Sequence, residues 1–227
     1  MSSVLISGDT SGAITISAPL VAGSGTLTLP TGTDTLVGLA ATQTLTNKTL
    51  TTPNLGTPST LVLTNATGLA AAALPAGSIL QVVSTTKTDT FSVASVTFTD
   101  ITGLSVSITP RSTSSKILIL AHLPTGQPAG GIPFYKLVRG STDICIGDAA
   151  STRPRISASS YTANPDTSTC PAINFLDSPA STSSTTYKIQ MRGYDTVAVY
   201  LNRTGNDTDA SQGPRAAATI TVMEIQG

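Results

Sequence analysis

The chain has 227 residues, and its 12 basic and 12 acidic side chains give a formal net charge of zero. Charged residues make up only 11% of the sequence, well below the roughly 25% of typical globular domains. The sequence shows no basic patch, which argues against binding to nucleic acid through its phosphates. It shows no run of about 18 apolar residues, which argues against insertion into a membrane.

The first 80 residues differ in composition from the rest of the chain. All four Phe and all five Tyr residues follow position 90, and the charged side chains of the first 80 residues are Asp9, Asp34 and Lys48. Such a segment lacks the large side chains that fill a globular core, and it lacks the high charge that keeps disordered tails solvated. We therefore expect neighbouring chains to order this segment, so that it is stable only in an oligomer. An assembly component is expected rather than a free enzyme.

Residues 1–40 are predicted to form a β-rich segment. Residues 13–17 and 26–29 alternate apolar and polar side chains, with Gly and Pro between them, and this pattern is typical of short strands. The apolar positions of these strands are Ile14, Ile16, Leu27 and Leu29.

Residues 41–76 are predicted to form an extended shaft followed by a hinge rich in Ala, Pro and Gly. Leu recurs at positions 45, 50 and 55 of a Thr-rich tract, and Pro53 and Pro58 exclude a continuous central strand. Regular apolar spacing suits an extended chain that buries one side chain per layer against partner chains. A flexible low-complexity linker is the alternative.

Residues 77–227 predict an all-β domain, an antiparallel β-sandwich of jelly-roll type. Short apolar or alternating segments are separated by turn signals, and no helical segment lies between them, which argues against parallel βαβ units. The predicted strands are residues 79–83, 91–98, 104–108, 116–120, 134–138, 187–192, 196–201 and 219–225.

Two of these strands carry further information. Residues 117–120 are apolar on both faces, which predicts a central strand. The last strand, residues 219–225, also has apolar residues on both faces, which predicts a position inside the sandwich or at a subunit contact. Its Glu224, the single Glu of the chain, is expected where the strand emerges into solvent.

Several segments resemble proteins of tailed bacteriophages. Residues 41–50 (ATQTLTNKTL), with residues 32–38 (GTDTLVG) before them, resemble a tract common in tail fibres and other virion proteins. Segments of the second half resemble the C-terminal domain of marine and cyanobacterial phage fibre proteins; these are residues 77–91, 109–119, 185–190, 200–209 and 218–225.

The resemblance implies a virion structural protein, typically a homotrimer, that is assembled in the cytoplasm of the bacterial host. Residues 1–40 would attach to other virion proteins, with Ile14, Ile16, Leu27 and Leu29 as the attachment residues. The C-terminal sandwich would be the distal knob of a tail or neck fibre or short spike, with a host surface glycan as candidate receptor. Because the predicted shaft is short, a head decoration or cement protein that stabilises the capsid is the first alternative. A glycan-degrading spike is the second.

The sequence offers little catalytic chemistry, so no enzyme activity, cofactor or metal site is expected. His122 is the single histidine, and we expect a structural residue at a strand end. Glycan cleavage needs paired carboxylates. Asp166 with Asp177, or Asp195 with Asp207, could supply them, but their spacing is not diagnostic.

Two other features could carry chemistry. Cys145 and Cys170 are expected to be reduced, partly buried thiols, with a disulfide as the alternative. Residues 202–209 are rich in oxygen ligands around a glycine and predict a polar hairpin turn, with a Ca²⁺ site as the alternative.

The long polar loop of residues 151–171 is the candidate receptor-binding site. Long loops on a rigid sandwich are where recognition tends to reside, and Tyr and Arg can stack on sugar rings and hydrogen-bond to their hydroxyls. A loop that packs between subunits is the alternative. The candidate residues are Arg153, Arg155, Tyr161, Asn164 and Asp166.

Overall fold

The computed structural model describes residues 73–227 continuously, the segments Ser3–Ser7 and Ala13–Ser17, and the isolated residues Thr49, Thr51, Asn54, Gly56 and Thr57. The chain divides into two compact units, Met1–Val62 and Leu63–Gly227. The boundaries predicted after residues 40 and 76 stay predictions. Within the described residues, no helix has the length and apolar character needed to cross a membrane.

The first unit contains an antiparallel hairpin of two short strands. β1 (Ser3–Ser7) pairs along its whole length with β2 (Ala13–Ser17). The strand predicted from the alternation in this part of the sequence is therefore confirmed.

Two of the four predicted attachment residues lie within the described part of the chain, and two lie outside it. Ile14 and Ile16 lie in β2, whereas Leu27 and Leu29 lie outside the described residues. Most of the predicted shaft and hinge, residues 41–76, also lies outside them. Attachment through these residues, and the shaft itself, stay predictions.

The second unit is built from β-strands in the part of the chain that the structure describes. Its strands are β3 (Ile79–Lys87), β4 (Phe91–Val93), β5 (Thr99–Ile108), β6 (Lys116–His122), β7 (Thr125–Gly126), β8 (Pro133–Arg139), β9 (Thr142–Ile144), β10 (Ala158–Ser159), β11 (Ala172–Asp177), β12 (Thr185–Gly193), β13 (Val199–Leu201) and β14 (Ala218–Ile225).

Two antiparallel sheets form a sandwich. The first sheet has the order β11-β6-β14-β3, and the second has the order β10-β8-β12-β5, with β9 also paired to β8. A third, small sheet has the order β4-β13-β7. The main pairs are nested, because β3 pairs with β14, β5 with β12, β6 with β11 and β8 with β10. Nested antiparallel pairs divided between two sheets are the connectivity of a jelly roll, so the predicted all-β sandwich is confirmed for this unit.

The core lies between the two sheets and is mainly aliphatic. The first sheet contributes Ile119 and Val222, and the second contributes Leu137 and Ile189, all fully buried and part of one cluster. Alternate residues along each strand point into this cluster, as the pleat requires. The core is therefore built by period-two patterning rather than by a few large side chains.

Two tyrosines are fully buried, and each has a partner for its hydroxyl. The Tyr135 hydroxyl lies 2.6 Å from that of Thr125, and the Tyr187 hydroxyl donates to Asp177 at 2.7 Å. Burial raises the pKa of both tyrosines. Asp177 also accepts from Arg139 at 2.8 Å, so this carboxylate on the first sheet is tied to two strands of the second.

Most predicted strands are present, and one is much shorter than expected. β6 lies between β11 and β14, which confirms the central strand predicted at residues 117–120. The strand expected at residues 91–98 ends at Val93, because the Ser95 hydroxyl accepts the Thr97 N–H at 3.0 Å and forms a local turn that competes with the ladder. Four strands were not predicted: β7, β9, β10 and β11.

The expected exposure of Glu224 is wrong. Its side chain shares the inward face of β14 with Val222 and is fully buried. Its carboxylate accepts the Arg111 N–H and the Gln81 amide, both at 2.6 Å. Burial acts to raise the pKa of Glu224, but its interactions with Ser115, the Arg111 N–H and Gln81 outweigh burial and hold the pKa below its usual value. A buried carboxylate that accepts such hydrogen bonds contributes to stability, whereas burial of an unpaired carboxylate costs free energy.

Replacing Glu224 with Gln should lower the free energy of unfolding near neutral pH by about 2 kcal/mol, because an amide cannot accept a hydrogen bond at both positions. The folded-state pKa is depressed, so this contribution is complete above the unfolded pKa and is lost as the pH falls through the folded one. Urea unfolding between about pH 7 and pH 3 should therefore show a flatter pH dependence in Glu224→Gln than in the wild type.

Asp100 provides the matched control. Its pKa is also lowered, mainly by a hydrogen bond from Lys188, but its side chain is 53% exposed. Asp100→Asn should cost less than about 1 kcal/mol, as is usual for exposed ion pairs. Equal effects of the two substitutions would contradict the role given to the buried carboxylate.

Candidate functional site

The loop of residues 151–171 is pinned to the sandwich at both ends. Near its start, the Ser157 N–H donates to the Tyr135 carbonyl at 2.8 Å. Near its end, Thr169 and Thr125 exchange backbone hydrogen bonds of 2.8 and 2.9 Å. Its central part therefore projects from a fixed base.

The structure brings together two of the five predicted receptor-binding residues. The Asp166 N–H donates to the Asn164 side chain at 2.9 Å, and Asp166 in turn accepts the Asn206 amide at 2.7 Å. Tyr161 lies nearby in sequence and is 59% exposed. Asn164, Asp166 and Asn206 thus form one hydrogen-bonded polar group.

The two arginines of the loop, Arg153 and Arg155, are exposed. The Arg155 Nε donates to the Gly147 carbonyl at 2.6 Å. Among the described hydrogen bonds, none joins either arginine to Tyr161 or Asp166. Hydrogen bonds therefore join Asn164 and Asp166 among the five candidates, and not the arginines to them.

Two glycines let the turn after β13 approach the loop closely. A Cβ on Gly205 would lie 2.2 Å from the Gln127 carbonyl oxygen, and a Cβ on Gly126 would lie 2.1 Å from that of Arg203. In this position Gly205 donates to the Pro165 carbonyl at 2.8 Å. The loop tip depends on a close approach of main chains that only glycine allows.

The oxygen-rich residues 202–209 are committed to contacts within the protein. Asp207 accepts from both Arg203 and Arg215 at 2.7 Å. Asn202 is fully buried, and its amide donates to the Lys87 carbonyl at 2.8 Å and the Asp89 carbonyl at 2.9 Å. In the described part of the chain, no group of three or more His, Cys, Asp or Glu is arranged to hold a metal ion.

The other candidate carboxylates are also engaged. Asp177 is held by Arg139 and Tyr187, and Asp195 accepts the Val197 N–H at 2.9 Å. Each forms a local structural contact.

The structure places the single histidine and the two cysteines individually. His122 ends β6 on the exposed side, as expected for a histidine at a strand end. Cys145 and Cys170 are both free; Cys145 is half-buried and Cys170 is exposed, so the expectation of partial burial is wrong for Cys170. Burial raises the pKa of the Cys145 thiol.

An open depression of about 370 Å³ lies where β8 ends and β12 begins. Its lining holds hydroxyls and a single charged side chain, that of Arg139; the residues are Arg139, Gly140, Pro179, Ser181, Ser184, Thr185 and Thr186. A carboxylate pair does not line this depression, so it does not have the groups for two-carboxylate glycan cleavage.

The outer face of the first sheet carries an apolar row that crosses all four strands. Val82 is 54% exposed and Leu176 is 49% exposed at the two ends of this row. We call this surface the apolar face; it consists of Leu176, Leu118, Met223 and Val82 in register, with Ile79, Leu120 and Ile225 beside them. The apolar residues on both faces of β6 and β14 indicate this outer surface in the sequence. The row itself could not be predicted, because it depends on the register of four strands.

No protein-family model matches the chain, and no curated protein matches it. Among solved structures, it is similar to a chain in the structure of infectious bursal disease virus, Gt strain, with 14% identity and a TM-score of 0.37 over 71% of this chain and 42% of that chain. For the Gx strain of the same virus the identity is 15% and the TM-score 0.35, over 70% and 44% of the two chains. The chain thus spans less than half the length of these viral chains. Similarity of this extent assigns no function to this chain. We therefore infer its function from its own surfaces.

Replacing Gly205 with Ala should destabilise the protein by more than about 2 kcal/mol and loosen the loop, because the new Cβ meets main-chain atoms that cannot move aside. Thermal unfolding should show a lower melting temperature, and trypsin should cleave faster after Arg155. Gly147→Ala is the matched control, since a Cβ there meets nothing within 4 Å. A Gly205→Ala protein with wild-type stability and wild-type cleavage would contradict the anchoring role of this turn.

Proposed function

We propose that this chain is a structural protein of a virus particle, a trimeric fibre or short spike whose C-terminal sandwich binds the host surface. The resemblance of residues 32–50 and of five C-terminal segments to phage fibre proteins supports the virion role. The single observation that supports assembly is the apolar face of the first sheet.

The apolar face leaves large apolar side chains exposed at both edges of the first sheet. Its row runs across the whole width of the sheet, and Ile79, beside the row, is 57% exposed. Contiguous apolar patches beyond a few hundred Å² mark sites of association. Covering such a face with protein removes apolar area from water, which is worth about 25 cal/mol per Å².

A second and third copy of the same chain fit this face because its centre is uncharged. The charged or titratable side chains on this side of β6 are Lys116 and His122, at the two ends of the strand. Around a threefold axis, the residues nearest the axis meet their own copies, so a charge there would face the same charge. Apolar residues at these positions avoid that repulsion. We therefore place the trimer contact on this face.

With the first sheet covered, the loop of residues 151–171 and the outer face of the second sheet carry the contact with the host. Tyr161 and Arg155 belong to the residue types that are enriched at binding hot spots. No catalytic step is part of this proposal, in which the sandwich acts by binding.

The oligomeric state tests the assembly part of the proposal. Light scattering on the intact protein should give about three times the chain mass of 22.9 kDa. Val82→Lys and Leu176→Lys should convert the trimer to a folded monomer, because each places an ammonium group in a contact that excludes water. Ser107→Lys, on the exposed face of β5 in the second sheet, is the matched control and should stay trimeric. A wild-type protein that is a monodisperse monomer would rule out this assembly.

Particles that lack the protein test its role in the virion. We expect them to adsorb poorly to the host and to keep normal resistance to heat, because the sandwich contacts the host rather than the capsid. Adsorption counts and capsid melting measure the two effects. Normal adsorption together with rupture on mild heating would contradict the proposed fibre and would indicate a cement protein. Release of reducing sugar from host polysaccharide by the purified protein would indicate the degrading spike instead.

A further inference from the structure

A cluster of aromatic and cationic side chains lies on the outer face of the second sheet, opposite the apolar face. Arg192 of β12 is in register with Phe134 of β8. We call this group the cation–aromatic cluster; its residues are Phe98, Phe134, Lys136, Arg192 and Tyr194.

The guanidinium of Arg192 is held between two rings. Its central carbon lies 5.2 Å from the centre of the Phe98 ring and 4.9 Å from that of Phe134. Two cation–π contacts restrict a side chain that would otherwise be mobile. Its position is therefore fixed before any ligand arrives, which lowers the entropic cost of binding.

Arg192 also keeps donors for a ligand. One of its terminal nitrogens donates to the Gly193 carbonyl at 3.0 Å. Lys136 is paired with Asp143 and Lys188 with Asp100, whereas Arg192 makes no ion pair with any described residue. The local positive charge on this face is therefore concentrated at one guanidinium, and its planar N–H groups suit a bidentate contact with an anion.

Tyr194 supplies an exposed ring beside this guanidinium. It is 61% exposed and stands edge-on to Phe134, with 6.3 Å between ring centres and 84° between ring planes. Its N–H donates to the Ile132 carbonyl at 2.8 Å. The preceding Gly193 has no room for a side chain, because a Cβ there would lie 2.6 Å from the Asp195 carbonyl oxygen. The ring is thus presented from a fixed turn.

We propose that the cation–aromatic cluster binds an acidic glycan, with the anionic group of a sugar on Arg192 and the ring of the same or the next sugar against Tyr194. This inference rests on the proposed role in host attachment and names the class of receptor. Sugars offer an apolar C–H face to a tyrosine ring and hydroxyls to its polar end. The neutral net charge of the chain and the one unpaired guanidinium of this cluster fit one anionic group per site rather than a nucleic acid, which needs many phosphate contacts. In a trimer the three sites would act together on one polymer.

Binding to three immobilised polymers tests the chemistry. Polygalacturonate carries carboxylates, dextran sulfate carries sulfates, and dextran carries neither. The intact protein should bind at least one of the anionic polymers at least about tenfold more tightly than dextran. The preferred polymer identifies the anionic group. Equal affinity for all three, or affinity for none, would overturn the inference.

Matched variants locate the site. Arg192→Gln and Tyr194→Ala should each weaken binding, the first by at least about tenfold, because a hydrogen-bonded charge is lost. Lys188→Gln is the control, since Lys188 lies on the same face of β12 as Arg192 but its charge is paired with Asp100. Arg155→Gln and Tyr161→Ala test the loop as the rival site. Circular dichroism and light scattering confirm that each variant remains folded and keeps the wild-type mass. If the loop variants lose binding and the cluster variants keep it, the loop of residues 151–171 is the site and the inference fails.

This test separates two kinds of failure. If particles with Arg192→Gln and Tyr194→Ala adsorb normally, while particles without the protein do not, the cluster is not the receptor site and the attachment role stands. If particles without the protein adsorb normally, the attachment role itself fails, whatever the polymers show.

Discussion

The fold depends on β14, the last strand, pairing with β3 on one side and β6 on the other. This strand contributes Ile220 and Val222 to the core, Met223 to the apolar face, and the carboxylate of Glu224 to a buried hydrogen-bond network. Without it the first sheet would split into two edges with unpaired main-chain groups, which invites association with other chains. One strand thus holds together the core, the sheet and the surface on which assembly is proposed.

The two outer faces of the sandwich differ in their chemistry. The apolar face of the first sheet has an uncharged centre, whereas the second sheet exposes ion pairs such as Lys188–Asp100 and Lys136–Asp143. Exposed pairs of this kind contribute at most about 1 kcal/mol each to stability, so their main effect is to keep that face hydrated. A jelly roll can therefore present one face to copies of itself and leave the other to a ligand, with no change in its core.

Period-two alternation was sufficient to predict the all-β fold, the jelly-roll sandwich and the central position of β6. It missed β11, a six-residue strand with Pro171 just before it and Pro179 just after it. It also placed Glu224 in solvent, because the main-chain N–H of Arg111 and the side-chain amide of Gln81 that donate to its carboxylate come from distant parts of the chain. The candidate site was harder to predict for the same reason. Phe134 and Arg192 meet through strand register, and Asn164 and Asp166 are joined by a hydrogen bond within the loop.

The nested pairing also fixes the order in which the chain can be completed. β3 finds its partner only after the ribosome has synthesised the chain as far as Ile225, so the strand that opens the sandwich must wait for the strand that ends it. Pairs with such large separation in sequence form late and slowly. A chain interrupted before Ala218 lacks the Met223 position of the apolar face and leaves Val82 on an unpaired edge. A chain interrupted there would thus lack part of the surface on which the trimer contact is proposed.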